Sequence, residues 1–279
     1  SVRGLVDCGM EQGKDLYENV DIPVNAGELD FVLLTHAHID HTGRIPLLYK
    51  MGYTGQVYAT RLTAQLMNIM LMDSAHIQES DAMYANQKGK RAGRPEVEPL
   101  YTTEDAQTAL NNLEIHDYEQ VFEVCPGITA RFVDAGHLLG SAIVEIWITE
   151  NGETRKLVFS GDLGNVSRPL IRDPQIPPAA DTVVIESTYG NRLHEKARGD
   201  AVGELAMYLQ QAFDRGGNVV IPSFAVGRTQ EMLYAIREIK QKGLVTGHPD
   251  FPVYVDSPLA VEATGIFLQC DISCLDPET

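Results

Sequence analysis

Short apolar, β-prone runs ending in glycine- or aspartate-bearing loops dominate the first two thirds of the chain. Gly4-Leu5-Val6 reads as a strand ending at Asp7, followed by a glycine turn at Gly9. Residues 10–26 are polar and read as loop or irregular helix, and after Asp30 the residues Phe31-Val32-Leu33-Leu34 are a second apolar, β-prone run. Gly43 to Tyr49 predicts a short helix, and Gln56 to Thr60 a strand. From Arg61 to about Gln87, Leu62, Leu66, Ile69, Met70 and Asp73 fall on successive turns, with Met67, Leu71 and Met72 widening the stripe, so the period is helical. A helix starts at Thr103, with Thr102 or Thr103 as its N-cap and Glu104 and Asp105 in the first turn. Strand patterns follow at 121–124, 128–134, 142–148 and 156–160, and Asn151-Gly152 marks a hairpin turn between the last two. Thr182 to Glu186 predicts another buried strand beyond the break at Pro174, Pro177 and Pro178.

The rhythm changes near residues 190–200. Val202, Leu205, Leu209 and Phe213 form a helix stripe that Gly216-Gly217 stops. Asn218–Pro222 predicts a strand, Arg228–Lys240 a helix, and Pro252–Asp256 a strand. Ser257 then N-caps a further helix with Pro258 at its first position. This alternation predicts a parallel α/β unit. The expected organisation is one domain over residues 1–195 and the start of another over 196–279.

Candidate chemistry gathers on the loops. Thr35-His36-Ala37-His38-Ile39-Asp40-His41-Thr42-Gly43 places three of the chain's eight histidines within six residues, at the end of a buried run. Imidazole nitrogens and carboxylate oxygens suit zinc and similar divalent ions. His36 and His38, two apart, can point the same way in an extended turn, and Asp40 and His41 lead into a helix. His137 stands on a glycine hinge in Asp134-Ala135-Gly136-His137-Leu138-Leu139-Gly140-Ser141. Asp162 occupies a similar place in Ser160-Gly161-Asp162-Leu163-Gly164. A carboxylate at such a position can bridge two ions. Asp7, beside its own turn, is either a turn former or a support that orients a ligand histidine.

Composition narrows the field. At 44% hydrophobic the chain can build a real core, and no apolar run is long enough for a transmembrane helix. Four scattered cysteines, Cys8, Cys125, Cys270 and Cys274, make neither a disulfide framework nor a structural zinc site, so a reducing cytoplasm is the default expectation. The net charge of −17 opposes an extended nucleic-acid interface. It leaves room for an active site that grips one phosphate locally. The loop Gly89-Lys90-Arg91-Ala92-Gly93-Arg94-Pro95 is basic and glycine-rich, and reads first as a solvated linker. Ser223, Arg228 and the start of the helix at Arg228 are candidates to hold a phosphate, through backbone N–H groups and the guanidinium. The competing expectation is that Arg228 pairs with Glu231.

The series His-x-His-x-Asp-His, Gly-His and Gly-Asp resembles the metallo-β-lactamase superfamily. Glu186-Ser187-Thr188-Tyr189-Gly190-Asn191-Arg192, Pro222 to Arg228 and Asp256-Ser257-Pro258 further resemble the β-CASP nucleases, in the branch of the cleavage and polyadenylation endonuclease and its bacterial and archaeal relatives. The resemblance implies an αββα sandwich followed by the start of a parallel α/β β-CASP domain. It implies two zinc ions, one on His36, His38 and His137, the second on Asp40 and His41, with Asp162 bridging and Asp7 supporting. Glu186 would contact a downstream acid histidine. The implied function is hydrolysis of RNA phosphodiester bonds by a metal-bridging hydroxide, on a single-stranded substrate, with no membrane partner and with a homodimer allowed. Alternatives are acyl, thioester or lactam hydrolysis on the same metal core, or an inactive scaffold in a processing complex.

The chain has no initiator methionine and opens directly into a strand. By the resemblance, a first strand should precede Ser1, and the second domain should run past Thr279 to supply the acid histidine and a last zinc ligand. His194 and His248, the only histidines after Asp162, do not have the strand-end setting of those residues. The chain is therefore expected to be truncated at both ends, to hold the second ion weakly, and to be inactive or weakly active by itself.

Overall fold

Three-residue and four-residue runs become the strands of a parallel sheet, and the two inner ones, Phe31–Leu33 and Gln56–Ala59, are largely buried on both faces, as parallel strands usually are. The computed structural model describes residues 1–11, 22–90, 93–193, 199–271 and 274–276. In it β1 (Gly4–Val6), β2 (Phe31–Leu33), β3 (Gln56–Ala59) and β4 (Leu113–Ile115) lie side by side in that order, all parallel. The β4 run, Leu113-Glu114-Ile115, is too short to show a period, and the sequence pattern does not announce it. Helices α1 (Ile39–Thr42), α2 (Ile45–Lys50), α3 (Arg61–Lys90) and α4 (Thr103–Leu110) follow β2 and β3. The helix expected over 43–49 forms as α2, and α1 is an additional short helix just before it. Thr102 caps α4 with a reciprocal pair: its hydroxyl accepts the Asp105 N–H, and Asp105 accepts the Thr102 N–H.

The second sheet runs in the order β5 (Phe122–Cys125), β6 (Ile128–Asp134), β7 (Ala142–Glu150), β8 (Glu153–Phe159) and β9 (Thr182–Val184). Its first four strands are antiparallel, and β9 joins β8 in parallel. Asn151 and Gly152 both take positive φ, 54° and 81°, as a tight hairpin turn requires. Phe31, Leu33 and Tyr58 of the first sheet meet Phe122, Phe132, Val144 and Ile146 of the second in one core. Val32, Val57 and Ala59, of opposite parity to these, are also fully buried. The result is a sheet-on-sheet sandwich of α/β class. β7 carries a surprise on its outer face: Glu145 is fully buried and ion-paired with Arg131 and Lys156.

The described residues divide into two compact units, Ser1–Val166 with Asp173–Glu186, and Ser167–Arg172 with Ser187–Thr279. In the second unit α5 (Ala201–Asp214), α6 (Arg228–Lys242) and α7 (Pro258–Gln269) form as the sequence predicts. Ser257 caps α7, its hydroxyl accepting the Ala260 N–H. Ala206, Leu209, Ile239 and Val245 make the core of this unit.

Three expectations need correction. Residues 218–222 and 252–256 are not strands; neither joins a ladder, and both line one cleft with Leu209, Met232 and Ile236. Their β-prone sequence reports suitability for a pleated, half-buried surface, but a strand also needs a paired neighbour. Val220 and Tyr254 are 87% and 85% exposed. The strand at Thr182 is the edge of its sheet, and Val183, Val184 and Ile185 are exposed rather than buried. No helix among the described residues is long and apolar enough to cross a membrane. His194 lies outside the described residues.

Candidate metal centre

Four strands end in the loops that build the site. β1 delivers Asp7, β2 delivers the His36–His41 turn, β6 leads to His137 and β8 to Asp162. All belong to the first unit. One ligand atom from each of His36, His38, His137 and Asp162 falls within 4.8 Å of all the others. His36 Nε2 is 3.0 Å from His38 Nδ1, and His137 Nε2 is 3.3 Å from the same nitrogen. Asp162 Oδ2 lies 3.9 Å from His36 Nε2 and 3.5 Å from His137 Nε2. Its other oxygen, Oδ1, is 3.3 Å from His41 Nε2. Nitrogen lone pairs this close repel unless a proton or a cation lies between them. Three imidazoles and a carboxylate are the donors that zinc-type ions take, so the residues present fit a divalent metal.

Charge and burial prepare these groups. His36 is 1% exposed, and burial, with the positive charge of neighbouring histidines, holds its pKa well below the usual value. His38 is also lowered, mainly by burial and partly offset by Asp40 and Asp162. Both are therefore neutral at pH 7, the form that binds a metal. Burial opposes charge on His41, but hydrogen bonds to Asp162 and Asp7 outweigh it and push the pKa up to about 10. The His41 hydrogen bond is in turn the main reason that the Asp162 carboxyl lies below its normal range.

Behind the ligands stands a network centred on Asp7 and Thr35. Asp7 takes φ 60°, an uncommon left-handed position for a non-glycine residue. Its Oδ1 accepts the Thr35 N–H at 2.8 Å, and its Oδ2 accepts the Thr35 hydroxyl at 2.7 Å. Oδ2 also accepts His41 Nδ1–H at 2.8 Å. With its proton directed to Asp7, the Thr35 oxygen can only accept from His36 Nδ1, 3.0 Å away. That assigns the proton of His36 to Nδ1 and turns the lone pair of Nε2 toward the cluster. The Thr35 carbonyl accepts the Ala142 N–H, tying this loop to β7. Ser141 Oγ accepts the N–H groups of His137 and Leu138, both at 3.1 Å.

Glycines set the spacing between the loops. A Cβ on Gly9 would lie 1.5 Å from the Asp40 carbonyl oxygen, and one on Gly164 would lie 1.6 Å from the Gly136 oxygen. One on Gly161, at φ 53°, would meet the Thr35 side chain at 2.6 Å. Only residues without a side chain allow the three ligand loops to approach this closely.

The remaining candidates fall as follows. Asp40 is exposed on the first turn of α1 and is outside the four-residue group. Glu186 Oε1 accepts the Leu163 N–H at 2.8 Å, so it fixes the residue next to Asp162. Ser223 and Arg228 belong to the second unit. There Arg228 Nη1 donates to Glu231 Oε2 at 2.5 Å, and Arg168 binds the other oxygen of Glu231 at 2.6 Å. The pairing of Arg228 with Glu231, set out above as the competing expectation, is the one observed. Two of the backbone donors at the start of α6 are engaged as well: Gly227 N–H by Gln230 Oε1 and Thr229 N–H by the Phe224 carbonyl. Those two N–H groups are not the free donors expected there. The reason is that Gln230, the third residue of the helix, folds back as a cap. Thr35, Ser141 and Gly164 have roles that the sequence did not assign; their signal was only that they flank a histidine or aspartate on a strand-end loop.

Residues 1–164 match the family model of the metallo-beta-lactamase superfamily domain. The chain belongs to the metallo-beta-lactamase superfamily. It is 40% identical over 268 residues to Ribonuclease TTHA0252 of Thermus thermophilus, covering 95% of this chain and 55% of that protein. It is 37% identical to the transcription termination factor FttA of Methanosarcina mazei, over 95% of this chain and 39% of that protein. An RNase J-like protein of Methanocaldococcus jannaschii is 33% identical over 99% of this chain and 57% of its own length. The chain thus spans roughly half of the relatives it matches, or less.

Proposed function

We propose that this chain carries the metal centre of a zinc-dependent β-CASP ribonuclease, which hydrolyses phosphodiester bonds of single-stranded RNA. The observation that carries the reading is the convergence of His36, His38, His137 and Asp162 within 4.8 Å, with the second Asp162 oxygen turned to His41. In this proposal His36, His38 and His137 hold one zinc ion, Asp40 and His41 contribute to a second, and Asp162 serves both. Bound divalent zinc would bring the pKa of a water down to roughly 7 and would offset charge developing on phosphoryl oxygens. The protein's own part is positional. Asp7 orients His41 directly and His36 through Thr35, Asp162 divides its oxygens between two sets of nitrogens, and Glu186 steadies the Asp162 loop through Leu163.

RNA is favoured as substrate because two of the relatives are named as a ribonuclease and an RNase J-like protein. Ser223 and Arg228 are proposed phosphate contacts, with the guanidinium, half exposed, shared between Glu231 and the substrate. The test uses the full-length protein, stripped with a chelator and reloaded with zinc, on labelled RNA, single-stranded DNA and a lactam chromophore. RNA cleavage should return with zinc and be lost in Asp162→Ala. Substantial zinc-dependent cleavage by Asp162→Ala, or lactam turnover without RNA cleavage, would overturn the proposal. Arg228→Ala should raise the KM for RNA more than it lowers turnover of a small phosphodiester; equal effects on both would remove Arg228 from the phosphate site.

A further inference from the structure

The chain carries a net charge of −17, so any polyanion is repelled except where cations are concentrated and unneutralised. One such place lies in the first unit. Residues 82–95 contain Lys88, Lys90, Arg91 and Arg94 and no acid. Lys88, Lys90 and Arg94 are exposed, and none of the three is held in an ion pair among the described residues. By contrast, Arg3, Arg61, Arg131, Lys156, Arg168, Arg228 and Lys242 all pair with acids.

The described residues on either side of Lys90 are tied to the end of α3. Asn86 grips the backbone of Val97 at both ends of its amide, donating to the carbonyl at 2.9 Å and accepting the N–H at 2.8 Å. Arg94 N–H donates to the Gly89 carbonyl at 3.1 Å, which folds Arg94 back beside the helix. A Cβ on Gly89 would already touch that of Arg94, at 3.5 Å. Tyr84 is 58% exposed one turn earlier, with Lys88 Nζ 4.2 Å over its ring. Cations beside an exposed aromatic ring are what single-stranded nucleic acid binds: phosphates by charge and bases by stacking.

We propose that Lys88, Lys90, Arg94 and Tyr84 form an accessory site for the phosphate backbone of single-stranded RNA, remote from the metal centre. The proposal rests on the reading that the protein acts on RNA. The geometry gives it a length. The first turn of α3 is fastened to the His137 loop, with Thr60 and Thr63 hydroxyls both donating to the Gly140 carbonyl at 2.6 and 2.8 Å. From Thr63 to Lys90 the helix advances about 40 Å at ~1.5 Å per residue. A stacked strand with ~3.4 Å between phosphates needs about 12 nucleotides to span that distance. A 5-nucleotide RNA seated at the metal centre is too short to reach the patch even when its bases are unstacked.

The experiment compares the full-length protein with its Lys88→Ala/Lys90→Ala/Arg94→Ala variant. Anisotropy binding of a labelled 25-nucleotide RNA to metal-free protein is read against sodium chloride concentration. KM is read for 25-nucleotide and 5-nucleotide RNA, and turnover for a small phosphodiester. Three lost phosphate contacts should lower the slope of log affinity against log salt by about 2, so the wild-type advantage shrinks roughly 20-fold between 50 and 200 mM salt. KM should rise for the long RNA only, and the small phosphodiester should turn over unchanged. Tyr84→Ser should weaken binding of the long RNA by ~5-fold or more with its salt slope unchanged, since stacking carries no counterion release. An unchanged salt slope, equal losses on long and short RNA, or no binding of RNA by the wild type would each overturn the accessory site. Failure of the ribonuclease reading is seen separately, as absent zinc-dependent cleavage by a wild type that still binds RNA.

Discussion

Replacing Gly164 by alanine is the sharpest test of how the ligand loops are spaced. The new Cβ would lie 1.6 Å from the Gly136 oxygen, 2.1 Å from its carbonyl carbon and 2.8 Å from the His137 nitrogen. All three are backbone atoms, so no side-chain rotation relieves the clash. Ordinary contact begins near 3.4 Å, so one loop must retreat by nearly 2 Å. The Gly164 N–H to Ala135 carbonyl bond, 2.9 Å, opposes that retreat. His137 rides on the displaced loop, and its Nε2 starts 3.5 Å from Asp162 Oδ2. Overpacking of this kind costs about 1–3 kcal/mol of stability, which a protein of this size tolerates. A misplacement of about 1 Å at a reacting centre costs on the order of 10²-fold in rate. The expected result is a folded protein with at least tenfold weaker zinc retention and at least ~100-fold lower kcat/KM on RNA. Zinc is measured by mass spectrometry after dialysis against graded chelator, folding by thermal melting. Gly265→Ala is the control: no atom outside its own helix backbone lies within 4 Å of the new Cβ, and an alanine inside α7 should stabilise by about 0.5–1 kcal/mol. A Gly164→Ala protein that keeps both wild-type zinc affinity and wild-type turnover would refute the spacing argument.

Asp7→Ala removes the acceptor of the Thr35 N–H, the Thr35 hydroxyl and His41 Nδ1 together, so zinc affinity should fall about 10–100-fold, read by competition with a chromophoric chelator. Unchanged affinity would show that Asp7 only shapes its turn. Cys8, buried behind the same loop, has its thiol pushed up to about 11 by burial; Arg44 opposes the rise and Asp7 adds a smaller one. Because the folded value is raised above the unfolded one of 9.0, the folded state holds the proton longer. Its contribution is complete below pH 9 and disappears as the pH rises through 11. Urea unfolding should therefore give a decline in stability over that window that Cys8→Ser lacks, while at pH 8.5 iodoacetamide should leave Cys8 unmodified. Rapid alkylation of the folded protein at that pH would contradict the burial.

The chain's own order of residues determined the elements with a clear period and the residue types of the metal centre. Helices α3 and α5 were legible because their stripes span several turns, α7 because Ser257 and Pro258 mark its start, and the Asn151-Gly152 hairpin because its residues accept that turn. His36, His38, His137 and Asp162 stood out because imidazole and carboxylate groups at glycine-flanked strand ends have few purely structural uses. Tertiary structure decided everything that depends on what a residue meets across the fold. It brought the four donors within 4.8 Å and gave His38 its Nδ1 and His36 its Nε2 as the inward atom. It also divided the two oxygens of Asp162 between sets of histidines. It turned Glu186 toward Leu163 and Arg228 toward Glu231, choices among partners that spacing alone leaves open. It buried Glu145, a charged residue on a sheet face, because Arg131 and Lys156 on the adjacent strands compensate it. It withheld strand pairing from residues 218–222 and 252–256, since a ladder depends on a neighbour and not on propensity. The physical division is between short-range and long-range information. Backbone preference and side-chain chemistry are written locally, whereas hydrogen-bond partners, burial and the closeness of two loops are properties of contacts far apart in the chain.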